Sequence, residues 1–452
     1  MSLDLGASRP AILWAAFSVS LAIADWGPRV LFQSCSSDVY LGGATDLARK
    51  GMTLDDTTMR YCSSRIPSLW PNTQEPLQSL RLVRAWDPTW PEESRAPSFQ
   101  ALADVVKANG MKVLVGAAVT CSDEDDARAW EWSKELLTLL GPAHVMGVSI
   151  GNELDLLYQH VSDTVSASVP QSCIEELWEG PSGGNFWRKV TSWVAELDSL
   201  HDGFKTIPVT SVFTGAALGG NPFLEIPGKS QVNTFMVRAS QKYGHRFSFT
   251  FNIYPYFDPS YRLDWGSTCA NAMSTATCWK PTCNVDMTIV AARRKVRQLT
   301  GQKGDLLWVG ESGWSSPKSR TLHTAMARCA TWSTAAALQE YYKGFLNWDL
   351  QLYGARPPDH IFYYTLRDSL NFGFLEHFGL IESCESEVCK LRSDEYTVID
   401  QNRSANLSWV RWAYAGIGGV LVVAFITTCI QVRAPAAPCA KGGDDGATSD
   451  SS

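Results

Sequence analysis

Short apolar runs alternate along this chain with longer amphipathic stretches, and this alternation limits the choice of fold more than any other feature. Seven runs have the length and apolar content of buried strands: Leu82–Trp86, Lys112–Val119, His144–Ile150, Ile207–Phe213, Phe247–Tyr254, Leu306–Gly310 and Ile361–Leu366. An eighth strand is expected first, at Arg29–Ser34, although the stretch from Cys35 to Glu75 could contain it instead. The alternation of strands and helices predicts an α/β fold, a (β/α)8 TIM barrel spanning residues 25–395.

Two of the intervening stretches carry signals for helix ends. Ser98 can cap a helix that stops at Asn109-Gly110, and Ser122 can cap another that stops at Gly141. The second helix begins with the acidic run Asp123–Asp126, which suits the positive end of a helix dipole. Consecutive carboxylates cannot converge on one ion as spaced ligands do, so we interpret this run as a solvated first turn.

Both ends of the chain carry signals for the secretory pathway. The apolar run of residues 10–24 closes with Ala22-Ile23-Ala24, which predicts a signal peptide over residues 1–24, with an uncleaved anchor as the alternative. Trp412–Val432 is uncharged and mostly apolar, and it is long enough to cross a hydrocarbon core of about 30 Å. It predicts a C-terminal single transmembrane helix, which the polar tail of residues 433–452 follows. A lipid-anchor attachment signal would end with its apolar segment, so the polar tail does not favour such an anchor.

The segment before the predicted transmembrane helix carries two N-glycosylation sequons, Asn402–Ser404 and Asn406–Ser408. We therefore predict a glycosylated stalk over residues 396–411. Ten of the twelve cysteines precede it, and an even number in an oxidising compartment predicts disulfides. Their pairing cannot be deduced, although Cys384 and Cys389 are close enough to close a small loop. Together these signals predict a single-pass type I membrane protein with an extracellular or lumenal barrel.

Charge and composition narrow the choice of partner. The formal net charge of -7 comes from scattered residues, which does not favour a nucleic-acid partner. No histidine accompanies the cysteines at metal-ligand spacing, so we predict neither a metal nor a cofactor. The 18 Trp, 14 Tyr and 18 Phe residues suit either stacking on sugar rings or ordinary barrel packing.

Two glutamates lie at the carboxyl ends of predicted strands. Glu153 ends the segment Ile150-Gly151-Asn152-Glu153, and Glu311 lies in Val309-Gly310-Glu311-Ser312-Gly313-Trp314. The carboxyl ends of barrel strands share one mouth, so the two side chains are expected to meet there. A glutamate in this place loses hydration and needs either a partner or a task. One interpretation is a structural ion pair, for which Arg84 is available, and the other is a pair of catalytic carboxylates.

The order of four short segments resembles family 17 glycoside hydrolases, the β-1,3-glucanases and related glucanosyltransferases. The segments are Ile150-Gly151-Asn152-Glu153, Asn252-Ile253-Tyr254-Pro255-Tyr256-Phe257, Val309-Gly310-Glu311-Ser312-Gly313-Trp314 and His377-Phe378-Gly379-Leu380. Two earlier segments, Val83–Asp87 and Gly110–Gly116, look like that family's second and third strands. The resemblance covers roughly Leu82 to Leu380.

The resemblance implies a role for individual residues. Glu153 would be the general acid/base and Glu311 the nucleophile of a retaining mechanism. Asn152 would bind the sugar 2-hydroxyl, and Tyr254 would orient Glu311. Further substrate-binding residues are predicted at the strand ends: Tyr256, Phe257, Trp314, Arg84 and Asp368. The rings of Tyr256, Phe257 and Trp314 could stack on the glucan. For Tyr256 and Phe257, core packing is the alternative.

The chain departs from the family pattern in two places. Ser315-Ser316-Pro317 moves a proline that the family has earlier, and Leu366-Arg367-Asp368-Ser369 replaces a common Phe-Asp-Glu run. These changes leave the linkage and the subsite contacts open. The predicted function is an endo-β-1,3-glucanase that cleaves β-glucan by double displacement. The alternatives are a β-1,3-glucanosyltransferase, an inverting enzyme, and a surface glucan-binding protein without turnover.

Overall fold

The computed structural model describes the barrel and little of the chain ends. Described are residues 35, 44–159, 170–179, 183–217, 229–257, 268–316, 329–370, 377–386 and 389–390. The predicted signal peptide, stalk, transmembrane helix and tail all lie outside these ranges. Within them, no helix combines the length and the apolar character that a membrane span requires.

Eight parallel strands close into a barrel in chain order, which confirms the predicted architecture. The strands are β1 (Lys50–Leu54), β2 (Ser79–Leu82), β3 (Lys112–Ala117), β4 (Val145–Asn152), β5 (Val209–Thr214), β6 (Phe247–Asn252), β7 (Leu306–Ser312) and β8 (His360–Tyr364). Six of these, β3 to β8, begin and end within two residues of the predicted bounds.

The first strand is not where the sequence placed it. Arg29–Ser34 lies outside the described residues, and the barrel closes without it because β1 (Lys50–Leu54) pairs with both β2 and β8. This strand lies inside the stretch that the prediction named as the alternative place. Its sequence Lys-Gly-Met-Thr-Leu lacks a strong apolar signal, yet all five residues are buried. Lys50 tolerates burial because its ammonium group donates to the backbone oxygens of Thr45, Leu346 and Trp348 at 2.7, 2.9 and 2.5 Å.

The second strand also differs from the prediction. β2 covers Ser79–Leu82, whereas the prediction placed it at Leu82–Trp86. The sequence Ser-Leu-Arg-Leu contains the charged Arg81, so its pattern does not predict a buried strand. In the structure, however, Arg81 is fully buried. This shift decides which arginine lies in the barrel wall, and Arg81 rather than Arg84 takes that place.

Ten described helices surround or follow the strands. They are α1 (Asp56–Tyr61), α2 (Glu92–Ala108), α3 (Asp123–Leu140), α4 (Leu156–Gln159), α5 (Gln171–Trp178), α6 (Gly184–Leu200), α7 (Lys229–Tyr243), α8 (Cys269–Ala276), α9 (Asn284–Thr300) and α10 (Ala335–Asn347).

Ser122 caps α3 as predicted, because its side chain accepts the N–H of Asp125 at 3.1 Å. The prediction for Ser98 is wrong, since α2 begins six residues earlier with Glu92 and Glu93 in its first turn. The solvated interpretation is wrong for Asp126, which is buried and pairs with Lys189.

All ten described cysteines form disulfides, which confirms that this part of the chain is cross-linked. The five bonds are Cys35–Cys389, Cys62–Cys384, Cys121–Cys173, Cys269–Cys329 and Cys278–Cys283. A small loop closed by Cys384 and Cys389 was the wrong expectation. Each of these two cysteines instead reaches back to the start of the chain, over separations of 322 and 354 residues.

Candidate active site

The carboxyl ends of β2, β4, β6 and β7 bring a small polar cluster together inside the barrel mouth. Glu153 directly follows β4, and Glu311 is the sixth residue of β7. Both are buried, with 3% and 4% of their surface exposed. Asn152 and Tyr254, two of the predicted substrate-binding residues, lie in the same cluster.

Glu311 is held by two donors, one on each carboxyl oxygen. Arg81 of β2 forms an ion pair with its Oε1 at 2.5 Å, and the hydroxyl of Tyr254 donates to its Oε2 at 2.6 Å. Arg81 also donates to the backbone oxygen of Gly310 and to Oδ1 of Asn152, both at 2.8 Å. One guanidinium group therefore fixes the nucleophile candidate and the neighbouring asparagine together. The predicted β2 begins at Leu82, three residues too late, and therefore leaves Arg81 outside the barrel wall.

Glu153 has a different environment, with one oxygen bound and one left over. Its Oε1 accepts from Nδ2 of Asn252 at 2.9 Å. Its Oε2 is buried without a hydrogen-bond partner among the described residues. The backbone of Glu153 has a φ of 52°, a left-handed conformation that is uncommon for a residue with a side chain, and its N–H donates to Val212 at 2.8 Å. Such a conformation persists only when its surroundings hold it.

Asn252 links the two glutamates. Its Cα lies opposite that of Glu311 in the β6–β7 register, while its side chain reaches Glu153. Asn252 begins the second of the four segments that carry the family resemblance, but the sequence alone predicts no role for it. Its position as the last residue of a buried strand was the available signal, because strand ends supply the residues of a barrel mouth.

Burial and charge act in the same direction on Glu153. Burial raises its pKa well above the ordinary value, and the negative charge of Glu311 raises the pKa further. The hydrogen bond from Asn252 and the charge of Arg81 oppose this effect. The pKa of Tyr254 is also raised, first by burial and then by Glu311, so its hydroxyl remains a donor. The cluster can therefore place a protonated carboxyl beside a carboxylate that is paired with a cation.

The predicted aromatic contacts lie around this cluster at different depths. Tyr256 and Trp314 are buried, and their rings meet at 5.4 Å between centroids. The Tyr256 hydroxyl lies 2.7 Å from Oγ of Ser333, and Nε1 of Trp314 donates to Trp332 at 2.7 Å. Phe257 is half-buried, and its ring lies 5.7 Å from that of Tyr254. Contact of these three rings with a substrate stays a prediction.

Arg84 and Asp368 take part in other ion pairs. Arg84 pairs with Asp87, and Asp368 pairs with Lys390 at 2.5 Å while it accepts the N–H of Gly379 at 2.9 Å. Within the described residues, the hydrogen-bond and ion-pair partners of the two glutamate side chains are Arg81, Asn252 and Tyr254, and neither Arg84 nor Asp368 is among them. Their substrate-binding role stays a prediction.

No group of three or more His, Cys, Asp or Glu residues in the described part of the chain is placed to hold a metal ion.

The chain resembles several solved structures at low sequence identity. GH5_18 from Bifidobacterium longum subsp. longum, in complex with Manβ1-4GlcNAc, is 11% identical, with coverage of 86% of this chain and 80% of that chain and a TM-score of 0.37. GH5_18 from Streptomyces cattleya, in complex with GlcNAc, is 12% identical, with coverage of 87% and 82% and a TM-score of 0.36. The hyperthermostable endo-1,4-β-D-mannanase from Thermotoga petrophila is 12% identical, with coverage of 83% and 99% and a TM-score of 0.34. No family model matches this chain, and no curated protein does.

Proposed function

We propose that this chain is a retaining glycoside hydrolase that cleaves β-1,3-glucan, with Glu153 as acid/base and Glu311 as nucleophile. The observation that carries the proposal is the state of Glu153. A structural ion pair accounts for Glu311, which Arg81 satisfies, but Glu153 has no cation partner among the described residues and keeps one oxygen unpaired. A buried carboxyl in this condition costs stability, so a catalytic task explains it better than a structural one.

The first chemical step uses the two carboxyls in opposite roles. Protonated Glu153 gives its proton to the glycosidic oxygen, and the bond between this oxygen and the anomeric carbon breaks. The Oε1 or Oε2 of Glu311 attacks the same carbon from the opposite face and forms a glycosyl ester. Retaining enzymes need carboxyls about 5 to 5.5 Å apart for this geometry. Arg81 and Tyr254 hold the nucleophile in one orientation, and this lowers the entropic cost of attack.

The second step reverses the proton transfer. Once Glu311 is esterified, its negative charge is gone, so the pKa of Glu153 falls. Glu153 then accepts a proton from water, and the water oxygen attacks the anomeric carbon while the ester bond to Glu311 breaks. The product keeps its β configuration. Asn152, held by Arg81, lies beside Glu153 in the chain and would bind the sugar 2-hydroxyl.

The test is turnover of linear β-1,3-glucan by the full-length protein in detergent. Glu153→Gln and Glu311→Gln are expected to lower kcat at least about a thousandfold each, because one loses proton transfer and the other covalent catalysis. Glu340→Gln, an exposed site on α10, is the control and keeps wild-type turnover. Turnover within tenfold of wild type in either active-site variant contradicts the assignment.

The stereochemistry and the acceptor are tested separately. Proton NMR of the first-formed product shows a β anomer for a retaining enzyme, whereas an α anomer makes the enzyme inverting. Mass spectrometry of products from laminari-oligosaccharides shows only shorter chains if water is the acceptor. Products longer than the substrate make the chain a glucanosyltransferase. Binding without any product leaves a surface glucan-binding protein.

We further propose that the chain is a single-pass type I membrane protein of the secretory pathway. The five disulfides of the described residues support an oxidising compartment, and the sequons before Trp412–Val432 support an external stalk. In sealed vesicles whose extracellular or lumenal face is outward, added protease should cleave the stalk and release the barrel. The membrane segment and the tail should stay with the vesicle. Removal of N-glycans should lower the mass of the barrel fragment.

A further inference from the structure

A third carboxyl, that of Asp155, lies two residues beyond Glu153 and has no role in the mechanism above. It is fully buried in the turn between β4 and α4. Its Oδ2 accepts the hydroxyl of Thr214 at 2.5 Å, and its Oδ1 accepts the N–H of the same residue at 3.2 Å. Thr214 is the last residue of β5, so Asp155 joins the turn that carries Glu153 to the end of the next strand.

This junction continues to the partner of Glu153. The N–H of Gly215, the residue after Thr214, donates to the backbone oxygen of Asn252 at 2.8 Å. The side chain of Asn252 in turn donates to Glu153. The left-handed backbone of Glu153 is thus held from both sides, by its own turn through Asp155 and by β6 through Asn252.

A second aspartate in the chain makes the same contacts but in a different electrostatic setting. Asp126 accepts the N–H of Thr120 at 2.8 Å and its hydroxyl at 2.7 Å, next to the end of β3. Lys189 neutralises Asp126 through a buried ion pair. Asp155 has no ion pair among the described residues, so no cation there compensates its negative charge near Glu153 once it ionises.

We propose that Asp155 is a positioning residue for Glu153: its carboxylate fixes the turn after β4, and its uncompensated charge keeps Glu153 in the proton-donating form. The proposal rests on the proposed function in that Glu153 is taken as the acid. Among the residues that the structure describes, the charged and titratable groups that act on Glu153 are Glu311 from β7, Arg81 from β2, Tyr254 after β6 and Asp155 on its own turn.

The direction of the effect follows from these charges. Burial raises the pKa of Asp155 to about 6, so Asp155 carries its negative charge above about pH 6. Burial and then Glu311 raise the pKa of Glu153, and Asp155 adds to them. Replacing Asp155 by asparagine removes one negative charge, so the pKa of Glu153 should fall and the acid should lose its proton at lower pH.

The test compares matched variants at the two aspartates: Asp155→Asn with Asp126→Asn, and Thr214→Val with Thr120→Val. The first readout needs no substrate. Infrared difference spectroscopy of the full-length protein follows the carboxyl band that disappears in Glu153→Gln. In Asp155→Asn this band should titrate at lower pH than in wild type, whereas Asp126→Asn should follow wild type.

The second readout is the pH profile of kcat/KM on β-1,3-glucan. The alkaline limb should move to lower pH in Asp155→Asn, so that kcat/KM at pH 7 relative to pH 5 falls roughly threefold or more, while the melting temperature at pH 7 does not fall. Thr214→Val should give a smaller change in the same direction, because it removes a donor that stabilises ionised Asp155.

Two results would overturn the proposal. One is a Glu153 band and an alkaline limb that coincide with those of wild type in Asp155→Asn. The other is an equal shift in the Asp126 and Thr120 variants, which would make the effect a general loss of packing. If wild type shows no turnover, the proposed function fails, and the infrared titration still decides whether Asp155 controls the proton of Glu153.

Discussion

Within the described residues, both ends of the barrel bury charged or titratable side chains, but the buried groups at the two ends differ in how completely they are hydrogen-bonded. At the amino ends of the strands, the ammonium group of Lys50 donates hydrogen bonds to three backbone oxygens, and Nε2 of His360 lies 2.8 Å from Oγ of Ser79. Burial lowers the pKa of His360 to about 3, so it remains neutral. At the carboxyl ends, Glu153 keeps a buried oxygen without a described partner. The first end is arranged for stability, and the second gives up stability where chemistry is expected.

The largest expected effect is a loss of turnover at the barrel mouth without a loss of stability. Glu153→Gln should lower turnover about a thousandfold and leave the melting temperature equal or higher, because it removes a carboxyl whose ionised form burial disfavours. Thermal unfolding followed by intrinsic fluorescence, beside the glucan assay, measures both quantities. A clear loss of stability would mean that Glu153 serves the fold, and the contrast between the two ends would disappear.

The opposite result is expected at the other end. Lys50→Met should lower the free energy of unfolding by about 3 kcal/mol, since three buried carbonyl oxygens lose their donor, while the kcat of the folded fraction stays near wild type. Lys112→Met is the control, because Lys112 also begins a strand but is exposed. Denaturant titration gives the difference, and equal stability of the two variants would contradict the comparison.

A smaller effect is expected from one hydroxyl at the mouth. Tyr254→Phe removes the donor to Oε2 of Glu311 and should lower kcat about tenfold, with KM little changed, because Glu311, the proposed nucleophile, keeps Arg81 but loses part of its orientation. Tyr342→Phe removes a comparable buried hydroxyl that binds Pro71 and should leave kcat unchanged. If Tyr342→Phe lowers kcat as much, the effect of Tyr254 is one of packing.

The smallest effect concerns pH and stability. Burial raises the pKa of Asp55, directly after β1, to about 6 from 3.8. The folded state therefore binds the proton of Asp55 more tightly than the unfolded state, so protonation of Asp55 stabilises the fold. This stabilisation is fully present below about pH 4 and is lost as pH rises through 6. Relative to wild type, the melting temperature of Asp55→Asn should rise by about 2–4 °C between pH 4.5 and 7. Parallel curves would show that Asp55 does not titrate in this range.

Much of the fold follows from the sequence because apolar strands are its clearest signal. β3 to β8 are apolar enough to be read directly, and Glu153 and Glu311 stand out because each directly follows or ends such a strand. β1 and β2 were misplaced because Lys50 and Arg81 look like surface residues until their buried partners are known. Those partners come from distant parts of the chain, namely residues 346 and 348 for Lys50 and residue 311 for Arg81.

The electrostatics of the site depend on the same long-range contacts. The sequence places an aspartate two positions after Glu153, but only the structure shows that Thr214 binds it. Disulfide pairing was beyond the sequence for a similar reason. Cys384 and Cys389 are neighbours along the chain, yet each bonds to a cysteine more than 300 residues away because the last segment returns to the first strand.

The two bonds Cys35–Cys389 and Cys62–Cys384 also decide how a pulling force would travel through the molecule. Tension applied beyond residue 390 and resisted before residue 35 would pass across the Cys35–Cys389 bond, from one end of the described chain to the other. The strands and the cluster around Glu153 and Glu311 lie within the loop that this disulfide closes, outside the line of force. A barrel that is pulled at both termini would then keep its mouth undistorted until a covalent bond is cut.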